Sequence, residues 1–153
     1  MIGRPLRKVD AMAKATGDAL YADDYLFPGM LHCKILRSPH PHARIKSIDT
    51  TRAEALDGVA AVLVGSEMPI RYCVIPWTRD EQALCTDKVR YIGDGVAAVA
   101  AIDEATANAA CRLITVDYEL LKPVLTLEQA AQPPSDEPIH TDARRGNQHK
   151  YVD

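Results

Sequence analysis

The stretch Asp87-Lys-Val-Arg-Tyr-Ile-Gly-Asp-Gly-Val-Ala-Ala-Val-Ala-Ala-Ile102 constrains the chain more than any other. It holds the longest apolar run and a pair of glycines at motif-like spacing. Two readings compete for it. Gly93-x-Gly95-x-x-Ala98 has the form of a dinucleotide-binding turn, where a helix N-terminus receives a pyrophosphate. Alternatively, Gly93-Asp94-Gly95 is a plain turn between a short strand and a buried one. The first reading needs an apolar strand before the glycines, because the leading strand of such a sheet is covered on both faces. Lys88-Val-Arg-Tyr-Ile92 instead alternates charged with apolar residues. The alanines and valines after the turn are divided between helix and strand preference. Asp103 decides the matter. A helix running through 96–113 would carry this capping residue in its middle, whereas a strand ending at Ile102 uses it to open the next helix. The expectation is strand, turn, buried strand.

The rest of the chain follows the same punctuation. Residues 1–18 are polar and basic and read as an extended arm turning at Gly17, with Ala19-Leu20-Tyr21 as a short strand and Pro28-Gly29 as a turn. In 31–37, Leu31, Cys33 and Ile35 alternate with His32 and Lys34, a half-buried strand with the apolar set inward. Ser38-Pro-His-Pro-His42 interrupts it, since prolines cannot donate to a ladder, and 43–48 resumes as a strand. Thr51-Arg-Ala-Glu54 has the form of a capping box, with Gly58 placed to stop the helix. Residues 59–64 form a continuous apolar run, hence a buried strand. Residues 66–86 are irregular, a length of chain that tends to be functional or to pack on another domain. Val89 to Ile92 is a short strand. After Asp103, Ala107, Ala110, Cys111 and Ile114 fall on one helical face, and Ile114, Val116 and Tyr118 then alternate as a strand. Thr126-Leu-Glu-Gln129 is a second capping box, opening a helix to Ala131. Beyond it Pro133-Pro-Ser-Asp-Glu-Pro138 is linker-like. This places a domain at 1–131 and a linker-like tail at 132–153.

With 153 residues, 47% of them hydrophobic, the chain is long enough to bury a core without staples. A net charge of −3 gives no basic surface for nucleic acid or anionic membrane. The run 96–102 is too short to span a bilayer, and Met1-Ile-Gly-Arg-Pro5 lacks the apolar segment of a signal peptide. The expectation is a soluble, cytoplasmic protein. Cys33, Cys73, Cys85 and Cys111 form no C-x-x-C pair, so they are expected to be small, reduced core residues.

The chemical candidates are few. His40-Pro-His42 offers two imidazoles, with His32 nearby, but no third ligand at a recognised spacing. Asp23-Asp24 and Asp80-Glu81 are adjacent carboxylates, a pattern that is usually solvated. Cys85 has no sequence neighbour to activate it, and no serine nucleophile elbow occurs. The residues alone describe an α+β domain with no catalytic, cofactor-binding or metal residue assigned. A stand-alone module, gripping a partner or small ligand with 66–86, remains open beside it.

Several stretches in order add a resemblance. Gly3-Arg-Pro-Leu6 with Val9-Asp-Ala11, Lys14-Ala-Thr-Gly17, Tyr21-Ala-Asp-Asp24 and Pro28-Gly-Met-Leu-His32 resemble the opening of the large subunit of the xanthine dehydrogenase/aldehyde oxidase family. Arg37-Ser-Pro-His-Pro-His-Ala-Arg-Ile45 with Ser47-Ile-Asp49 is the most specific piece. Asp80-Glu81, Asp87-Lys-Val-Arg-Tyr91, Gly93-Asp94, Val96-Ala-Ala-Val99 and Val116-Asp-Tyr-Glu119 complete it. The resemblance covers residues 3 to about 130. It implies an α/β-hammerhead fold, a mixed sheet of short strands with two or three helices. It also implies the N-terminal domain of a molybdopterin-binding subunit, packed against the molybdopterin-binding domains of the same subunit. Members hydroxylate aldehydes, purines and other heteroaromatics, and one branch reductively dehydroxylates 4-hydroxybenzoyl-CoA. Gly95, where the family often has proline, is compatible with that branch. Molybdopterin (Mo), 2Fe–2S clusters and FAD would sit on other domains or on iron–sulfur and flavin subunits. The family's molybdopterin-holding residues and catalytic glutamate lie beyond this domain, so none is carried onto this sequence, and this chain by itself is expected to bind no cofactor.

Overall fold

The computed structural model describes residues 2, 3, 5–74, 79–131 and 137–140. It divides into two compact units, 1–30 and 31–153. In the first, α1 (Ala11–Thr16) ends on Gly17. A 3-10 turn follows at Ala22–Asp24, where the Tyr21 N–H donates to the Asp24 carboxylate at 2.7 Å. The arm is therefore partly helical rather than extended, and 19–21 is not a strand. Ala11-Met-Ala-Lys-Ala favours helix by composition, and Lys14 pairs with Asp10 one turn earlier. The turn at Pro28-Gly29 is as expected.

The second unit is built from antiparallel ladders. Strand β1 (His32–Arg37), β7 (Gly95–Ala101) and β3 (Val59–Val64) form one sheet in the order β1-β7-β3. Strand β6 (Lys88–Val89), β2 (Ala43–Asp49) and β8 (Thr115–Leu120) form another, in the order β6-β2-β8. Strands β4 (Arg71–Tyr72) and β5 (Glu81–Gln82) pair on their own. The expected α+β arrangement of short strands and few helices is present, its strands divided among three sheets, with every pairing among the described residues antiparallel. Helix α2 (Thr51–Glu54), α3 (Glu104–Leu113) and α4 (Leu127–Ala131) complete the unit.

The central strand is the one the sequence singled out. Val96, Ala97, Val99 and Ala101 of β7 are fully buried. Ala97 and Val99 form a core with Ala110, Cys111 and Ile114 from α3 and its end, and Ala53 from α2. A second core joins Ala43, Cys85, Val89 and Val96. Ile48 and Val116 pack against both. Asp103 caps α3 as expected, its carboxylate accepting the Thr106 N–H at 2.7 Å.

Four local expectations change. The Thr51/Glu54 box does not form: Thr50 stands at the cap without a side-chain capping bond, and the Thr51 N–H donates to Asp49 at 3.0 Å. Strand β3 is half-open, with Ala60 and Ala61 exposed, because helices cover only one face of its sheet. The strand expected at 89–92 is reduced to Lys88–Val89, since a turn begins at Tyr91. The last change is the largest. In β1 it is His32, Lys34 and Leu36 that turn toward the helix-covered side, while Cys33 and Ile35 face outward. Lys34 reaches Glu104 of α3 at 2.5 Å, which pays for placing a charge on that side. At the second Thr-x-x-Gln box, the Gln129 N–H donates to the Thr126 hydroxyl at 3.2 Å, while its side chain takes the Leu125 N–H.

Candidate functional site

The turn that opened as a cofactor candidate is a clamp. Gly93 adopts φ 94°, a backbone region that glycine enters freely. Its N–H donates to the Ser38 carbonyl at 2.8 Å, its own carbonyl accepts from Arg37 at 2.8 Å, and the Ser38 N–H donates to the Asp94 carbonyl at 2.8 Å. A strand follows Gly95, with no helix N-terminus to receive a pyrophosphate. The dinucleotide reading is thereby removed.

Behind this turn lies a cleft of about 240 Å³, bounded by Asp80, Glu81, Cys85, Arg90, Asp94 and His140 among others. Asp94 is buried and accepts the Arg90 backbone N–H at 3.0 Å. The Arg90 guanidinium donates to the Lys88 carbonyl at 2.8 Å and lies 3.7 Å from Asp87, while its Nε is buried without a hydrogen-bond partner among the described residues. Burial, with the neighbouring Asp94 carboxylate, pushes the Cys85 thiol far up, which disfavours the thiolate. Asp94 likewise raises the Tyr91 phenol.

Asp80 and Glu81 are not an acid–base pair: Asp80 meets His140 at 3.2 Å, and Glu81 accepts the Val74 N–H at 3.3 Å. Asp24 is occupied in its turn. His40 and His42 part company. His40 packs edge-on against Tyr118, ring centres 5.0 Å apart. His42 is 1% exposed, with Nδ1 donating to the Lys122 carbonyl at 2.9 Å. Its pKa is lowered by burial first, and then by Lys88, Arg90 and Arg44.

The cysteines divide as well. Cys85 and Cys111 are buried, as expected of core residues, but Cys73 is half-buried and Cys33 exposed, since β1 turns Cys33 to its open face. All four are free thiols. Among the described residues no three His, Cys, Asp or Glu side chains stand together. Trp77 lies outside the described residues, as does most of the 132–153 tail; Arg79 is exposed.

Residues 137–140 were not legible as part of the domain. They are held to it by an Arg44–Glu137 ion pair, by Lys88 donating to the Pro138 carbonyl, and by His140 on Asp80. The sequence carries no local signal for contacts made across fifty to ninety residues. No helix among the described residues is long and apolar enough to cross a membrane.

Among the described residues the fold is three antiparallel sheets with α3 packed across one of them. The model of the aldehyde oxidase and xanthine dehydrogenase a/b hammerhead domain matches residues 16–122, and the chain belongs to that family. It is 44% identical over 137 residues to a probable xanthine dehydrogenase subunit of Bacillus subtilis (strain 168), covering 87% of this chain and 18% of the relative. It is 42% identical over 145 residues to the nicotinate dehydrogenase large molybdopterin subunit of Eubacterium barkeri, covering 93% and 33%. Among solved structures, aldehyde oxidoreductase from Desulfovibrio gigas superimposes with a TM-score of 0.78 at 31% identity, over 88% of this chain and 16% of that one. The chain thus spans between about a sixth and a third of these three proteins.

Proposed function

We propose that this chain is the N-terminal hammerhead domain of the molybdopterin-binding subunit of a molybdenum hydroxylase, a packing domain without catalytic residues of its own. The observation that carries this reading is the match itself: nearly all of this chain corresponds to a small fraction of longer relatives named for molybdopterin or molybdenum. In that reading the molybdenum, the 2Fe–2S clusters and any flavin belong to other domains or subunits. Residues 1–131 form the domain, with 137–140 held against it through Arg44, Lys88 and Asp80. The substrate, whether an aldehyde, a heteroaromatic ring or 4-hydroxybenzoyl-CoA, is chosen by the region outside these residues. A cytoplasmic location goes with that assembly.

Metal analysis of the purified chain tests the reading. It should contain no molybdenum and oxidise neither aldehydes nor purines with an artificial acceptor, while co-expression with the molybdopterin-binding region should yield a complex active on one of these classes. Stoichiometric molybdenum in the 153-residue chain would sink it. The cleft bounded by Arg90, whose Nε is buried without a hydrogen-bond partner among the described residues, favours a second reading, a stand-alone module for a small polar ligand. That module would be stabilised against heat by its ligand, and it would form no complex with a molybdopterin-binding region.

A further inference from the structure

On the sheet β1-β7-β3, two adjacent rungs point away from the helices. Cys33 pairs with Ala100 and Ala61 across one rung, and Ile35 with Ala98 and Leu63 across the next. Paired residues in an antiparallel ladder share a face, so these six side chains form one continuous patch without a charge or hydroxyl. None of them is buried: Cys33 and Ala61 are exposed, Ile35 is 43% exposed, and the rest are half-covered. The opposite face carries the core residues Ala97 and Val99.

A sheet with one face to water normally alternates apolar inward and polar outward. Here the alternation runs backwards on β1. The charged Lys34 faces the helix side, where Glu104 neutralises it, and the apolar Cys33 and Ile35 face out. The sequence pattern is that of a buried face, and no described segment within residues 31–140 buries it. Three alanines keep the floor of the patch flat, which lets another layer approach to the roughly 10 Å spacing of packed sheets.

We infer that this face is the docking surface for the molybdopterin-binding region of the large subunit. The inference rests on the domain role proposed above, and it names the surface through which that role is exercised. The choice of occupant follows from the share of chain involved. The domain makes up 16% to 18% of relatives whose remainder is carried in the same polypeptide. A face patterned for burial finds its cover most directly in that remainder.

Cys33 reports on the face. The test measures maleimide labelling of each thiol by peptide mapping, first in the chain alone and then in its complex with the molybdopterin-binding region. Cys33 should react freely in the chain alone and at least about tenfold more slowly in the complex, since an interface excludes reagent from its centre. Ile35→Lys and Ala61→Lys, both at exposed positions, should leave the melting temperature of the chain unchanged. Each should weaken the complex roughly a hundredfold, by burying a charge in an apolar contact. A complex that forms with Cys33 still reactive, or that tolerates both lysines, overturns the inference and leaves the domain role standing. No complex at all defeats the domain role and this surface together. A chain that dimerises alone with Cys33 protected overturns it in favour of a second copy as occupant.

Discussion

The carbonyl oxygen of Cys85 passes so close over Gly65 that a Cβ on that glycine would lie 2.2 Å from it. The Leu84 carbonyl would be 2.9 Å away. Both neighbours are backbone, so neither can rotate aside. Cys85 belongs to the second core, and its N–H donates to the Gly95 carbonyl at 2.8 Å, so the crossing ties the 84–85 segment to the start of β7. Gly65→Ala forces that segment away from the sheet. The expected cost is about 3 kcal/mol, the upper end of overpacking effects, seen as a large drop in melting temperature. A melting temperature equal to that of the parent chain would show that the crossing is not tight.

Gly93 needs its hydrogen side chain for a different reason. Nothing lies within 4 Å of a Cβ built there, yet its φ of 94° is unfavourable for other residues. Gly93→Ala should cost about 1 to 2 kcal/mol through the backbone alone. Gly93→Asn should recover part of that loss, because asparagine enters the left-handed region more readily. No such rescue is expected from Gly65→Asn, where the obstacle is occupied space. Thermal melts of the four variants separate the two causes, and equal rescue at both sites would contradict the assignment.

What was readable from the sequence depended on how local its cause is. Helix α3 needed only Asp103 and the four residues Ala107, Ala110, Cys111 and Ile114, all within one element. The outcome at Gly93 followed from the same cap. The facing of β1 was misread because alternation tells which residues share a side but not which side a helix covers. Lys34 appears outward until Glu104, seventy residues later, supplies its partner. Helix α1 was missed for want of an apolar stripe, although its alanines and the following Gly17 were a usable signal. The 137–140 contacts with Arg44, Lys88 and Asp80 lay beyond any local rule.

Asp103 yields a prediction with a pH signature. Its carboxylate accepts the Thr106 N–H, and that bond holds its pKa below the ordinary carboxylate range. A depressed folded pKa means that the stabilisation is complete above the unfolded pKa, near 3.9. It is lost as pH falls through the folded value. Asp103→Ala should lower the melting temperature by a few degrees at neutral pH, as for a lost cap. The gap from the parent chain should narrow once the pH is below about 3 to 4. A gap independent of pH would mean that the carboxylate charge plays no part.

His42 should make the chain acid-sensitive well above the carboxylate range. Its ring is buried, Nδ1–H donates to the Lys122 carbonyl, and Nε2 has no partner among the described residues. Protonation would add a cation beside Lys88, Arg90 and Arg44, in a site that burial already makes hostile to charge. In the unfolded chain the same imidazole takes up a proton near pH 6.5. The unfolded state therefore binds more protons as the pH falls below that value, and stability drops until the folded pKa is reached. His42→Asn removes the titration while placing an amide donor near the Nδ1 position. The expected result is that denaturation midpoints of the parent chain fall between about pH 7 and pH 5, while those of the Asn variant fall less over the same interval. Parallel curves for the two proteins would show that His42 does not govern the acid response.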